Sequence, residues 1–315
     1  MAAADACPWC SAPRVTGVTC PRCGANYARA TLIKTQGRAP VAQAQVAIEQ
    51  PVVVERAVAA VIVSADDRVV DDPVLEWKLA AAAIPAALAL GLLFHIIMPS
   101  LQRIFFGMPV HELGHALTAW LCGYFAIPTL WKTLIPESRG FVAPVILAGA
   151  LGYGMYKAWL AEKPGYLVLL GAALLVQALG TLVISENTAE MLFTFGGDGM
   201  GMVLAALLMA SFFFGKRTEL YKGWLRWGFL LIGAAAFVDM FGTWWVAQFN
   251  TDAIPFGENE GSGLSDPMKL LEEYGWPTKT LVRRYVLVGC GSLAGLALVY
   301  AWGVARARRK AKSEK

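Results

Sequence analysis

Long stretches without an Asp, Glu, Lys or Arg constrain this chain most: none occurs in 79–102, 113–131, 140–156, 164–185, 199–215 or 285–305, and 227–251 holds Asp239 alone. Such lengths suit helices that cross a bilayer, which need about 20 apolar residues. The composition agrees, with 57% hydrophobic and 16% charged residues and a mean hydropathy of +0.52, where an average soluble domain carries about 25% charged residues. A soluble globular fold, a disordered chain and a secreted disulfide scaffold are all disfavoured. The net charge of +4 is small and sits mainly near segment ends, so it reports topology, and no nucleic-acid partner is expected.

Seven hydrophobic segments fall near 79–98, 101–123, 141–161, 165–184, 191–215, 225–249 and 284–304. The expected fold is an all-α polytopic membrane protein of about six to seven segments. The basic residues Lys216, Arg217, Lys222 and Arg226, and the tail residues Arg306, Arg308, Arg309, Lys310 and Lys312, should face the cytoplasm, and the mostly acidic 250–282 should face out. Seven full spans would then place the N-terminal cysteines outside, where thiolates are hard to keep reduced. Segment 101–123 is the one expected not to span. Gly107 and Pro109 can break its first half, leaving about 14 helical residues, or roughly 21 Å, short of a ~30 Å core. It is therefore expected to be re-entrant or kinked. Residues 1–30 show no basic region followed by an apolar run, so no cleavable signal peptide is expected. The expected organisation is a metal-binding module over 1–30, a linker over 31–76 with short strands near Val52–Val54 and Val58–Val63, a membrane domain over 77–305 and a basic cytoplasmic tail over 306–315.

Within 101–123 lies His111-Glu112-Leu113-Gly114-His115. On a helix, residues i and i+4 share a face, so both imidazoles can reach one zinc while Glu112 addresses a water at the open position. Ionisable groups inside a membrane are expensive and mark function. The remaining histidine, His95, reads as an interfacial residue. A catalytic zinc needs a third protein ligand, and the acids in or near the apolar region are Glu186, Glu190, Asp198 and Asp239. Asp198 follows Phe195-Gly196-Gly197, where an unwound turn could present its carboxylate. Asp239 reads more simply as pairing with a neighbouring helix, and Gln177 as an interhelical hydrogen bond.

The run HELGHALTAWLCG, ending at Gly123, resembles the first motif of the site-2-protease-like intramembrane metalloproteases. Asn187 and Asp198-Gly199 are similar to their second motif, although Gly197 stands where the family usually has Leu, and Glu190 follows where a Pro is usual. The resemblance covers about residues 101–215. It implies a zinc endopeptidase acting on a membrane-embedded or juxtamembrane protein substrate. In it Glu112 is general base, Asp198 is third ligand beside His111 and His115, and Asn187 holds the substrate extended. Two alternatives stay open. Glu186-Asn187-Thr188-Ala189-Glu190 looks like the E-x-x-A-D signature of the CAAX-prenyl-protease-like membrane metallopeptidases, which implies Glu186 as ligand. A catalytically inactive membrane adaptor is the other, disfavoured by the intact Glu112.

Cys7-Pro8-Trp9-Cys10 and Cys20-Pro21-Arg22-Cys23-Gly24 form two C-P-x-C knuckles, the pattern of a tetrahedral Cys₄ zinc site. This resembles a small zinc ribbon, too short for an adequate core without metal. Two zinc ions per chain are expected, one catalytic and one structural. The ribbon is expected to be cytoplasmic and to bind a protein partner or regulate access to the membrane site. Cys122 and Cys290 lie in apolar segments and read as inert packing.

Overall fold

A computed structural model describes residues 6–13, 15–28, 30, 72–214, 225–259 and 263–313. The strands expected near Val52–Val54 and Val58–Val63, and the basic residues Lys216, Arg217 and Lys222, lie outside the described residues. The chain divides into two compact units, residues 1–65 and 66–315, each taken here by itself.

The first unit contains two similar knuckles. The Cys7 N–H donates to Ala12 O at 2.7 Å and the Cys20 N–H to Ala25 O at 2.9 Å, while antiparallel bridges pair Ala6 with Pro13 and Thr19 with Asn26. Gly24, with φ of +70°, closes the second turn in the left-handed region that glycine enters without steric cost. Tyr27 covers the buried Cys7 and Cys20.

The second unit is a helical bundle. Helix α1 (Pro73–Ile97) begins where the Asp72 side chain accepts from the Val74 N–H at 2.9 Å; such a cap contributes about 1 kcal/mol. The helix thus starts before the boundary at 77 suggested by hydropathy. A short α2 (Pro99–Gln102) and a π-helical turn (Arg103–Gly107) run without interruption into α3 (Met108–Leu121), so the break expected at Gly107 and Pro109 is replaced by a π turn inside one helical run. A hairpin follows, pairing β1 (Ile127–Pro128) with β2 (Thr133–Leu134). Next come α4 (Val142–Leu160), α5 (Pro164–Leu182), α6 (Glu186–Ala210) and α7 (Leu225–Val246). A second small hairpin joins β3 (Glu258–Asn259) to β4 (Gly263–Leu264), before a one-face helix α8 (Asp266–Glu272) and the long α9 (Thr278–Ser313).

Among the described residues, five helices are long and apolar enough to span a bilayer: α1, α5, α6, α7 and α9. The chain is an integral membrane protein. Six to seven segments were expected, and five meet the requirements of length and composition among the described residues. The run from α2 through α3 is not among them, its apolar residues being interrupted by Gln102, Arg103, His111, Glu112 and His115, and neither is α4, whose glycines, tyrosines and Lys157 dilute the hydropathy of its 19 residues. The basic tail is not a separate element either. Helix α9 runs through Arg306–Arg309 to Ser313, since Ala, Arg and Lys are good helix formers and nothing there breaks the helix.

The core lies among α1, α6, α7 and α9, where Met202, Met209, Phe237, Met240, Trp244 and Tyr285 are buried. Apolar side chains on the outer faces, such as Leu182 and Ile96, are exposed, as suits helices that meet lipid. Small residues bring backbones together in the absence of a hydrophobic drive between helices. A Cβ on Gly233 would stand 2.6 Å from Ala205 O, and one on Gly114 would stand 2.6 Å from Gly197 O. Gln177 Nε2 donates to Pro144 O at 2.6 Å, the expected interhelical bond, here linking α5 to α4.

Candidate metal centres

The catalytic candidate is built on the crossing of α3 and α6. Gly114 on one helix and Gly196 and Gly197 on the other allow the contact; a Cβ on Gly197 would lie 2.6 Å from His115 Nε2. The glycines of the Phe195–Gly199 run therefore serve close approach, and α6 stays helical through Asp198 where an unwound turn was expected.

Both imidazoles have their tautomer set by the partner of Nδ1. His111 Nδ1 lies 2.8 Å from Asp198 Oδ1, and His115 Nδ1 lies 2.6 Å from Phe193 O. A carboxylate and a carbonyl only accept, so Nδ1 carries the proton in each ring and the Nε2 lone pairs point the other way. Those two Nε2 atoms are 3.0 Å apart. Asp266 Oδ2, from the first turn of α8, lies 3.2 Å from the first and 2.9 Å from the second. Three acceptor atoms facing one another call for a cation between them. Tetrahedral zinc with N and O ligands at about 2.0–2.2 Å spaces ligand atoms within a few tenths of an ångström of these values, so the residues fit the ion.

The structure thus puts Asp266, and not Asp198, at the metal-facing edge. Asp198 occupies the opposite edge of His111, where it also accepts from Trp244 Nε1 at 2.8 Å and pairs with Arg103 at 3.3 Å. Arg103 bridges to Asp239 at 3.0 Å, so Asp239 is an interhelical partner as read from sequence and not a ligand. Glu186 and Asn187 are exposed in the first turn of α6 and do not line the cavity around the histidines. Glu186 is likewise absent from the group of His111, His115 and Asp266 whose atoms converge, which leaves the ligand role implied for it without support. Glu190 instead lies near Tyr274; loss of solvation, then the charge of Glu190, pushes that phenol up to about 12.

Glu112 is buried, and its Oε2 accepts from the Thr133 hydroxyl of β2 at 2.7 Å. Glu112, His111, His115 and Asp266 line one cavity of about 360 Å³. Asp266, Thr133 and Trp244 were not singled out by sequence. The signal for Asp266 was indirect: Leu270 and Trp276, apolar residues inside an acidic segment, are buried and pack that segment down onto the bundle.

The second centre is the cysteine module. Cys7 Sγ to Cys23 Sγ is 3.8 Å and Cys10 Sγ to Cys20 Sγ is 3.7 Å, with all four sulfurs within 4.8 Å of one another. Tetrahedral zinc at about 2.3 Å from sulfur spaces its ligands by about 3.8 Å. The backbone N–H groups of Arg22 and Cys23 aim at Cys20 and lower its thiol to about 6, favouring the thiolate that binds metal. Cys122 and Cys290 stand outside both clusters.

No family model matches this chain, and no curated protein or solved structure matches it.

Proposed function

We propose that the protein is an intramembrane zinc endopeptidase, of the site-2-protease-like kind that its HELGH run resembles, cleaving a membrane-embedded or juxtamembrane protein substrate. The observation that carries this reading is the set of three acceptors, His111 Nε2, His115 Nε2 and Asp266 Oδ2, converging beside a buried glutamate in one cavity. His111, His115 and Asp266 hold the zinc, and Asp198 takes the supporting place that a carboxylate behind a ligating histidine has in many zinc sites. When bound, the zinc supplies Lewis acidity to the carbonyl and to water.

Glu112, held by Thr133, takes a proton from water as general base and returns it to the leaving amine. Asp198 keeps His111 in its Nδ1–H tautomer, and Phe193 O does so for His115. The short α3 lets water reach the site near the interface, where non-spanning backbone is tolerated because it borders a cavity. A second zinc is structural, on Cys7, Cys10, Cys20 and Cys23, in a ribbon that docks a protein partner. The distribution of Lys and Arg supports a cytoplasmic side for the basic tail, and the ribbon is read as lying on the same side.

The test is proteolysis by purified, zinc-loaded protein reconstituted in vesicles with single-span substrates. Cleavage in or beside the span that falls at least about 100-fold in Glu112→Gln, with zinc retained, is expected. Cleavage indifferent to Glu112→Gln, or none by zinc-replete protein across the panel, overturns the reading.

A further inference from the structure

Asp198 orients His111, and its own orientation has to come from elsewhere. The carboxylate borders open space on two sides: it lines the cavity of about 360 Å³ around the histidines and a second cavity of about 410 Å³, whose wall also includes His95, Arg103, Asp239 and Thr243. Packing alone therefore does not fix it, and its donors must. Oδ2 accepts from Trp244 Nε1 at 2.8 Å, while Oδ1 accepts from His111 Nδ1 at 2.8 Å and from Arg103 Nη1 at 3.3 Å.

Arg103 reaches this place through contacts among α2, α3 and α7. It opens the π-helical turn that joins α2 to α3, and such turns are frequent at functional sites. Just before it, the buried Gln102 donates from Nε2 to Ala235 O of α7 at 2.7 Å. That bond seats the turn against α7 four residues before Asp239, the spacing that keeps two positions on one helix face. Gly107 then leaves open the place that the Asp239 carboxylate takes. Asp239 Oδ2 accepts from the same Arg103 Nη1 at 3.0 Å, so one guanidinium nitrogen ties a carboxylate of α6 to a carboxylate of α7. Both carboxylates are buried, where such a group is kept only with partners. Compensating Asp198 would need Arg103 and no second acid. Asp239 is not among the partners of His111 or His115 in the described residues, and what it contributes is a second hold on Arg103.

We infer that Arg103 and Asp239 are positioning residues of the metal site: Arg103, anchored by Asp239, holds the Asp198 carboxylate at the angle from which it aims His111 Nε2 at the metal. The inference rests on the zinc reading of the histidine site and holds whatever bond that site cleaves.

The experiment reads the metal alone, so that it fails separately from the peptidase reading. The full chain, on the Cys7→Ser/Cys10→Ser background and in non-ionic detergent, is titrated with zinc against a competing chelator, and the visible absorption of cobalt bound in place of zinc reports the geometry of the same site. Arg103→Gln is expected to weaken zinc about 10-fold and to change the cobalt spectrum, with helicity by circular dichroism unchanged. Arg103→Lys should return the affinity to within about 3-fold of the parent, because one nitrogen meets both carboxylates and an ammonium has donors for both. Asp239→Asn should weaken zinc about 3-fold alone and no further in Arg103→Gln, since it acts through Arg103. An unchanged affinity and spectrum in Arg103→Gln overturn the inference even with a lowered melting temperature, which is what an ion pair serving only the fold would give. Effects of Arg103→Gln and Asp239→Asn that add in full, or a loss in Arg103→Lys as large as in Arg103→Gln, overturn it as well. Should Arg103→Gln fail to fold, Asp239→Asn decides alone, and parent-like affinity and spectrum there overturn it. No metal at the histidines of the parent removes both readings, whereas binding as expected with no cleavage of any single-span substrate leaves the inference standing and removes the peptidase reading.

Discussion

At the residue scale, the proton on each imidazole decides what the site can hold. Asp198 and Phe193 O fix that proton on Nδ1, and the hydroxyl of Thr133 fixes the carboxylate of Glu112. Thr133→Val removes one hydrogen bond to a charged group, worth about 1.5–3 kcal/mol. It should lower kcat about 10-fold with zinc content unchanged, as read by proteolysis and metal analysis on one sample; loss of zinc would show instead that Thr133 supports the fold of α3. The paired histidines were legible in the sequence because their function depends on a local spacing, i and i+4 on one helix. Asp266 was not. Its carboxylate is one of several in 250–282, and only the tertiary packing of Leu270 and Trp276 brings it to the histidines. Asp198 drew attention for sound reasons, a carboxylate on an apolar helix, and it does touch His111, but on the far side of the ring.

At the element scale, the crossing of α3 with α6 fixes the site, and glycine makes it. Any Cβ at position 197 would meet His115 and His111, so Gly197→Ala should displace the imidazoles. The expected outcome is loss of one zinc with the ribbon zinc retained and helicity by circular dichroism unchanged; two zincs in that variant would show that the crossing relaxes without cost to the site. The glycines were visible in sequence but suggested unwinding, because composition alone does not distinguish a glycine that frees the backbone from one that admits a neighbour. The break expected at Gly107 and Pro109 is not there: Gly107 keeps helical φ and ψ, and the chain stays helical from Pro99 to Leu121 through a π-helical turn. Gly107 has a tertiary reason instead: Asp239 and Arg103 crowd the place a side chain would take.

At the scale of the molecule, five spanning helices alone would leave the residue before α1 and the end of α9 on opposite faces. Helix α4 forms a hairpin with α5 through a three-residue connection, 161–163. A crossing by α4 beside α5 would return the residue before α1 and the end of α9 to one face. Cysteine-accessibility labelling in sealed vesicles should therefore give the same sidedness for Asp72→Cys and Ser313→Cys on a background without native cysteines outside the ribbon; opposite sidedness would mean that α4 does not cross. The membrane class was legible because hydropathy reports it directly, while the number of crossings depends on marginal helices that composition leaves undecided. The central claim is that His111, His115 and Asp266 hold a zinc, and its most direct test is metal analysis on the Cys7→Ser/Cys10→Ser background, where the ribbon contributes none. One zinc per chain is predicted there, none in Asp266→Ala, and one in Asp198→Asn with affinity reduced about 10–100-fold. Zinc retained by Asp266→Ala and lost from Asp198→Asn would contradict the account.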